Sequence, residues 1–201
     1  AGNYLVTLTD GHNCQASVSV VITQPTPLQL TSSASNVLCN GGNTGNISLN
    51  VSGGTAGYSY TWSNGAANAS SATGLIAGNY TCTVTDQNGC TITASDNITE
   101  PTLLNAALSA LRDVSCAGGN DGSAGVTVQG GTLPYTYSWT PGNASTSTVN
   151  GLNAGNYSLS VTDANGCQDF VGVTISEPPL FSVQSSVTAG TCGLPNGSAS
   201  V

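Results

Sequence analysis

Positive charge is almost absent from this chain of 201 residues, in which Arg112 is the sole Lys or Arg and His12 the sole histidine. Nine acidic residues give a net charge of −8, and charged residues make up only 5% of the sequence. Proteins neutralise nucleic-acid phosphates and anionic lipid surfaces with Lys and Arg side chains. The composition therefore predicts that the chain binds neither nucleic acid nor an anionic membrane surface.

Long hydrophobic runs are also absent. No run approaches the roughly 20 apolar residues that a membrane-spanning helix needs, so no membrane insertion is expected. Apolar residues, 38% of the chain, instead alternate with Thr and Ser in many short segments. Alternation of this kind, with abundant Val, Asn and Gly, is typical of β-strands joined by tight turns. The sequence predicts an all-β protein.

One stretch of sequence occurs three times. It runs from Gly2 to Cys14, from Gly78 to Cys90 and from Gly155 to Cys167, at offsets of 76 and 77 residues. Trp62 recurs as Trp139, and a proline follows Ile-Thr/Ser-Gln/Glu three times at the same spacing. Agreement over this length indicates tandem repeats.

The recurring prolines Pro25, Pro101 and Pro178 mark the expected joints, because proline cannot donate to a strand ladder. We expect the end of one repeat (1–24), two complete repeats (25–100 and 101–177) and the start of a fourth (178–201). The chain opens inside a predicted strand, so we expect it to be an internal piece of a longer protein.

Each complete repeat of about 77 residues carries six or seven short strand signals separated by turn residues. This pattern predicts an immunoglobulin-like Greek-key β-sandwich. In the second complete repeat the predicted strands are Leu103–Leu111, Ser123–Gln129, Tyr135–Trp139, Ser147–Leu152, Tyr157–Thr162 and Gln168–Ile175.

Aromatic residues and one odd cysteine refine this prediction. The segment 77–82 is similar to the tyrosine corner of immunoglobulin domains, although the second predicted strand lacks the partner cysteine. Cys82 aligns with Val6 and Leu159, so we expect it to be a buried free thiol. The expected core aromatics are Trp62, Trp139, Tyr80 and Tyr157.

The spaced pattern of each repeat resembles the SprB repeat of giant surface adhesins of gliding Bacteroidota. It is carried by Val114–Gly122, Gly130–Trp139, Ala154–Cys167 and Ile175–Pro178. The resemblance spans essentially the whole chain. It implies secretion to the cell surface, many tandem copies, and a role in surface attachment or gliding.

Six cysteines occupy two positions per repeat, an early one (Cys39, Cys116, Cys192) and one in the last hairpin (Cys14, Cys90, Cys167). In an immunoglobulin-like sandwich these positions lie at opposite ends of strands about 26 Å long, whereas bridged Cα atoms lie within about 7 Å. Our hypothesis is an inter-repeat disulfide, Cys39 to Cys167, repeated along a fibre with partners beyond this chain. A bond within one repeat, such as Cys39 to Cys90, and reduced thiols remain the alternatives.

No residue pattern indicates catalysis, a cofactor or a metal. His12 occupies a turn position where the other repeats carry Asn88 or Asn165. Asp10, Asp86 and Asp163 offer one carboxylate per turn, too few for calcium, so turn capping is expected. Asp121 is a slightly better calcium candidate, but Thr44 replaces it in the preceding repeat. Sequons are numerous, as chance predicts for this composition.

The predicted function is that of a non-catalytic repeat region of a bacterial cell-surface adhesin, giving reach and stiffness. One alternative is a self-assembling extracellular filament, because strands without charged guards pair easily. Another is a carbohydrate-binding accessory module with stacking aromatic residues such as Tyr58 and Tyr135. The expected partners are neighbouring copies of the repeat, with a surface polysaccharide as a further candidate.

Overall fold

The computed structural model describes residues 1–193 and 195–201, and the secondary structure there consists of strands. The chain divides into two compact units, Ala1–Pro101 and Thr102–Val201. The strands are β1 (Gly2–Thr9), β2 (Gln15–Ile22), β3 (Gln29–Ser35), β4 (Gly45–Ser52), β5 (Ser59–Trp62), β6 (Ser71–Leu75), β7 (Gly78–Thr85), β8 (Thr91–Ile98), β9 (Asn105–Arg112), β10 (Gly122–Gln129), β11 (Thr136–Thr140), β12 (Thr148–Leu152), β13 (Gly155–Thr162), β14 (Gln168–Ile175), β15 (Ser186–Thr188) and β16 (Ser198–Ser200).

Strands β3 to β8 form one complete sandwich of two antiparallel sheets, in the orders β3-β4-β6 and β5-β7-β8. Strands β9 to β14 repeat this arrangement as β9-β10-β12 and β11-β13-β14. These are the A-B-E and C-F-G sheets of an immunoglobulin-like sandwich. The predicted fold class is confirmed. Within the described residues, no helix is long and apolar enough to cross a membrane.

Each sandwich has its own hydrophobic core. Buried residues of the first lie between positions 37 and 98, and those of the second lie between 106 and 175. Strand β7 shows the cause, because its alternate residues Tyr80, Cys82 and Val84 point inward and are buried. Trp62 and Trp139 are both buried, and Tyr157 is partly buried against the second core.

A tyrosine corner fixes the start of the central strand in each sandwich. The Tyr80 hydroxyl donates to the Ile76 carbonyl at 3.0 Å, and the Tyr157 hydroxyl donates to the Asn153 carbonyl at 3.1 Å. Each bond pins the loop that enters β7 or β13 against the strand.

The remaining strands form two hairpins, β1 with β2 and β15 with β16. Tyr4, Val6 and Leu8 occupy the positions in β1 that correspond to the inward-facing residues of β7. Their side chains are 52%, 58% and 74% exposed. The β1–β2 hairpin thus carries the sequence pattern of a core strand without the burial.

Candidate functional site

One buried carboxylate, that of Asp86, organises the turn between β7 and β8. Its Oδ1 accepts the backbone N–H groups of Asn88 and Cys90 at 2.9 and 2.8 Å, which closes the turn. Its Oδ2 accepts the N–H of Thr55 at 2.9 Å, which joins the turn to the loop after β4. Asp163 is used in the same way, with N–H donors from Thr132, Asn165 and Cys167.

This turn lies at the end of the sandwich where the chain enters, which we call the N-terminal pole. The Gly54 N–H donates to the carbonyl of Thr26 at 2.8 Å, and Thr26 directly follows the joint proline Pro25. In the second sandwich the Gly131 N–H donates to the carbonyl of Thr102 at 2.9 Å. The hairpin cysteines Cys90 and Cys167 therefore lie at the N-terminal poles of their sandwiches.

Hydrogen bonds lower the pKa of both pole carboxylates. For Asp86 the N–H of Thr55 is the largest cause, and burial acts in the opposite direction. For Asp163 burial is the largest single effect and raises the pKa, but the N–H groups of Thr132, Cys167 and Asn165 together bring it below its ordinary value. Each carboxylate is thus held in its charged form as a turn cap.

The turn of the β1–β2 hairpin uses its aspartate in the same way. In the β1–β2 hairpin Asp10 accepts the N–H groups of His12 and Cys14 at 2.9 and 2.8 Å, so its carboxylate has the same capping role. Within residues 1–193 and 195–201, no three His, Cys, Asp or Glu side chains form a group that could hold a metal ion.

The opposite end of each sandwich, the C-terminal pole, is tied together by a glutamate. Glu100 accepts the N–H of Gly41 at 2.6 Å and the side-chain amide of Asn40 at 3.1 Å. That amide also donates to the carbonyl of Pro101 at 3.0 Å. The turn containing Cys39 therefore lies beside the residues through which the chain leaves the sandwich.

The second sandwich has the same C-terminal pole. Glu177 accepts the N–H of Gly118 at 2.7 Å, in the turn that begins at Cys116. The N–H of Val114 donates to the carbonyl of Ser176 at 3.0 Å, just as the N–H of Val37 donates to that of Thr99. Both early cysteines thus lie at C-terminal poles.

The calcium candidate Asp121 is occupied by protein donors. Its Oδ1 accepts the N–H of Ser115 at 2.8 Å, and its Oδ2 accepts the Ser115 hydroxyl at 2.6 Å and the Arg112 guanidinium at 2.8 Å. The Ser115 hydroxyl is the main cause of its lowered pKa. In the preceding repeat the Thr44 hydroxyl accepts the equivalent N–H, that of Leu38, at 2.8 Å. The replacement of Asp by Thr therefore preserves a structural bond.

The seven cysteines fall into two states. Cys39 and Cys167 are disulfide-bonded. Five are free thiols, namely Cys14, Cys82, Cys90, Cys116 and Cys192. Cys82 is buried in the first core, and burial raises its pKa, partly offset by a hydrogen bond with the backbone of Thr61. Cys90 and Cys116, which a within-repeat pairing would join to Cys39 and Cys167, are among the free thiols.

The aromatic residues considered for carbohydrate stacking are used inside the sandwiches. Trp62 and Trp139 are buried, and their indole N–H groups donate to the carbonyls of Ala69 and Thr146. The hydroxyl of Tyr58 donates to the Gly53 carbonyl at 2.6 Å. Tyr135 makes the same bond in the second sandwich, to Gly130. These side chains are used within the sandwich.

Sequence reasoning missed the pole glutamates, because their partners lie 59 residues away in the chain. A signal was present, since a glutamate precedes the joint proline at both Pro101 and Pro178. Asn36 and Asp113 were missed for the same reason. Their side chains accept the N–H groups of Thr99 and Ser176 at 3.0 and 2.8 Å.

A comparison with protein families gives two matches in this chain. The family model of the SprB repeat matches residues 31–67 and 108–144, once in each complete sandwich and 77 residues apart. No curated protein matches the sequence.

Solved structures with similar backbones are distant in sequence. They include three N-terminal domains of the bacteriophage RB49 outer capsid protein Hoc, with 17% identity and a TM-score of 0.45. The eight N-terminal Ig domains of DSCAM share 15% identity with this chain at a TM-score of 0.42. Domains 1–6 of the surface layer protein SbsC share 14% identity at a TM-score of 0.31. The matches cover 75%, 89% and 92% of this chain, but only 58%, 28% and 36% of those chains.

Proposed function

We propose, from the premise that this chain carries SprB repeats at residues 31–67 and 108–144, that it is a non-catalytic structural segment of a bacterial cell-surface protein. Its repeats give the protein reach and stiffness for attachment or gliding. A sandwich built on strands of eight residues contributes roughly 35–40 Å of length, so many copies carry a terminal binding region far from the cell.

The observation that carries this proposal is that polar side chains at both poles are used to hold the fold. Asp86 and Asp163 cap turns, Glu100 and Glu177 tie the exit of the chain to a turn, and Asp121 is paired with Arg112. A site for chemistry needs polar groups that converge on a ligand. Here the convergent groups already serve neighbouring backbone, as expected of a spacer.

A filament that functions through lateral contacts is the second candidate. Of the eight edge strands in the two sandwiches, five contain no charged residue, namely β3, β5, β6, β11 and β12, and charge is the usual guard against edge-to-edge pairing. The carbohydrate-binding alternative is disfavoured, because the tryptophans are buried and the hydroxyls of Tyr58 and Tyr135 bond to backbone carbonyls.

Replacement of the repeats in the parent protein tests the proposal. One strain carries a deletion of the repeat array, and a second carries an unrelated immunoglobulin-like array of equal length in its place. Surface display is measured by antibody labelling of intact cells, and attachment is measured under flow. We expect the deletion to lose attachment and the unrelated array to restore it.

The other outcomes separate the candidates. Failure of a displayed unrelated array to restore attachment would show that the repeats themselves bind, which contradicts the spacer function. Loss of lateral bundles in electron micrographs of the strain with the unrelated array would favour the filament. Absence of antibody labelling of the native protein on intact cells would contradict surface location.

A further inference from the structure

We infer that Cys39 and Cys167 are bonded to each other, and that this bond is a covalent staple between the C-terminal pole of one repeat and the N-terminal pole of the next. The inference deepens the proposed function, on which it relies for its mechanical meaning. Its first test detects only the disulfide, so the disulfide can be disproved without disproving the proposed function, and the reverse.

The geometry of each sandwich, taken separately, points to this pairing. The turn that begins at Cys39 is tied to Pro101 through Asn40 and Glu100. Thr102, the next residue in the chain, accepts a hydrogen bond from Gly131 at the N-terminal pole that also contains Cys167. Each cysteine therefore lies at the pole of its own sandwich that adjoins the 101–102 peptide bond.

The states of the cysteines point the same way. A rule that joins the early cysteine of one repeat to the hairpin cysteine of the next can be satisfied only once in this chain, by Cys39 with Cys167. These are the two disulfide-bonded residues. A within-repeat rule would bond Cys90 and Cys116 as well, and both are free.

Within one sandwich the two cysteine positions are far apart. Cys39 lies at the C-terminal pole and Cys90 lies at the N-terminal pole, separated by the length of an eight-residue strand such as β7, about 26 Å. A disulfide requires Cα atoms within about 7 Å. The fold thus prevents the bond within a repeat and leaves each cysteine for a neighbouring repeat.

Formation of the staple needs an oxidant, which we take to be a disulfide-carrying oxidoreductase outside the cytoplasm. The Cys39 thiolate attacks the donor disulfide and forms a mixed disulfide, which releases one donor thiol. The Cys167 thiolate then attacks the Cys39 sulfur and displaces the second donor thiol. Two cysteine thiols are oxidised to one disulfide, and the donor disulfide is reduced to two thiols.

In a longer array the staples overlap, and this changes how the fibre carries tension. Tension passes from Cys39 across the bond to Cys167, and then through only 25 residues of backbone to Cys192, where the next staple begins. Fully extended, 25 residues span about 85 Å, whereas the 153 residues from Cys39 to Cys192 span about 520 Å without staples. Two folded repeats placed end to end would measure roughly 70–80 Å. A stapled fibre therefore stays nearly at its folded length even if every sandwich unfolds.

The sole basic residue provides a direct test of the bond. Arg112 lies between Cys39 and Cys167, so trypsin cuts the chain once, into 1–112 and 113–201. Chain produced under oxidising conditions is alkylated in acidic denaturant to prevent thiol exchange, cleaved, and analysed by non-reducing electrophoresis and intact mass. We expect the two fragments to stay linked until reductant is added, and five cysteines to be alkylated.

Matched variants identify the bonded residues. Cys39→Ser and Cys167→Ser should each release the fragments, while Cys90→Ser and Cys116→Ser, at the equivalent positions of the other repeats, should leave them linked. Separate fragments in the wild type would overturn the inference, whether from within-repeat bonds or from seven free thiols. A disulfide-linked dimer that joins Cys39 of one chain to Cys167 of another would also overturn it.

Single-molecule extension then tests the mechanical consequence. Held by its two ends at a force that unfolds both sandwiches, the oxidised chain should gain a single increment of about 430 Å on reduction, the length of the 128 residues between Cys39 and Cys167. Bonds within repeats would instead release two increments of about 170 Å each, for 51 residues apiece, and this result would contradict the staple.

Discussion

Each sandwich depends on one buried carboxylate at its N-terminal pole. Asp86 joins two elements that are distant in sequence, because its two oxygens accept N–H groups both within its own turn and from Thr55, 31 residues earlier. Hydrogen bonds to a charged acceptor are stronger than those between neutral groups. The Asp86 side chain thus connects the β7–β8 turn to the loop after β4.

Replacement of Asp86 by Asn should lower the urea midpoint of the first complete sandwich, because one carboxylate oxygen becomes an amide that cannot accept an N–H. Asp96→Asn is the control, since it removes the same charge at a residue that accepts one bond, from the Ser32 hydroxyl. We expect a clearly larger loss for Asp86→Asn. Equal midpoints in the two variants would contradict the capping role.

The same carboxylates make the stability of the sandwiches depend on pH. A carboxylate whose pKa is lowered by folding stabilises the folded state above its unfolded pKa, about 3.9 for Asp. Asp86 and Asp163 both have lowered pKa values. Stability should therefore be level down to about pH 4 and decline below it, more steeply in the wild type than in Asp86→Asn. Urea titrations from pH 7 to pH 2.5 measure this difference.

Among the elements, the turn after β10 has little room for a side chain. Gly130 has φ of +71°, and a Cβ added there would overlap the carbonyl of Leu103. Gly118 in the same sandwich has nearly the same φ, +74°, but a Cβ there would meet no atom within 4 Å. The two glycines therefore separate backbone strain from steric overlap.

Gly118→Ala should cost about 1–2 kcal/mol, the strain of a left-handed alanine. Gly130→Ala should cost several kcal/mol more or prevent folding of that sandwich, because the overlap with a backbone carbonyl adds to the same strain. Urea unfolding followed by Trp139 fluorescence in a Trp62→Phe background gives both values. Equal costs would show that the neighbouring loop yields to the added methyl group.

The sequence predicted the strands better than it predicted the hydrogen bonds of the loops. The strand pattern predicted the sandwich and placed Gln168–Ile175 at its observed bounds, because alternation and repetition are local signals. The first strand of that sandwich was predicted two residues early, at Leu103 rather than Asn105. The structural use of Asp121 and Glu100 was not predicted, because their partners are set by how the loops fold together.

At the scale of the whole chain, the two complete sandwiches have separate cores, each with one tryptophan. Leu159 is fully buried in the second core and pairs with Trp139 across the sheet. A change there should affect one core alone. The tryptophans thus provide a separate fluorescence signal for each sandwich.

Leu159→Ala should destabilise the second sandwich by about 2–5 kcal/mol, through lost burial and a residual cavity. Under reducing conditions, its unfolding transition should shift when Trp139 is the sole reporter, in a Trp62→Phe background. With Trp62 as the reporter, in Trp139→Phe, the transition should not move. Leu103→Ala, at a residue that is 65% exposed, is the control. A shift of both transitions would contradict separate cores.

The scarcity of charge has a consequence for the medium in which such a fibre works. The net charge of −8 is spread over 201 residues, and Arg112 with Asp121 forms the one ion pair found within residues 1–193 and 195–201. Between 0.01 M and 1 M salt the Debye length falls from about 30 Å to about 3 Å. Highly charged chains therefore expand at low salt, where their charges repel, and contract at high salt, where the repulsion is screened. This chain is hydrated mainly through hydroxyl and amide groups rather than through counter-ions. We therefore expect an array of these repeats to keep its dimensions from dilute water to brine.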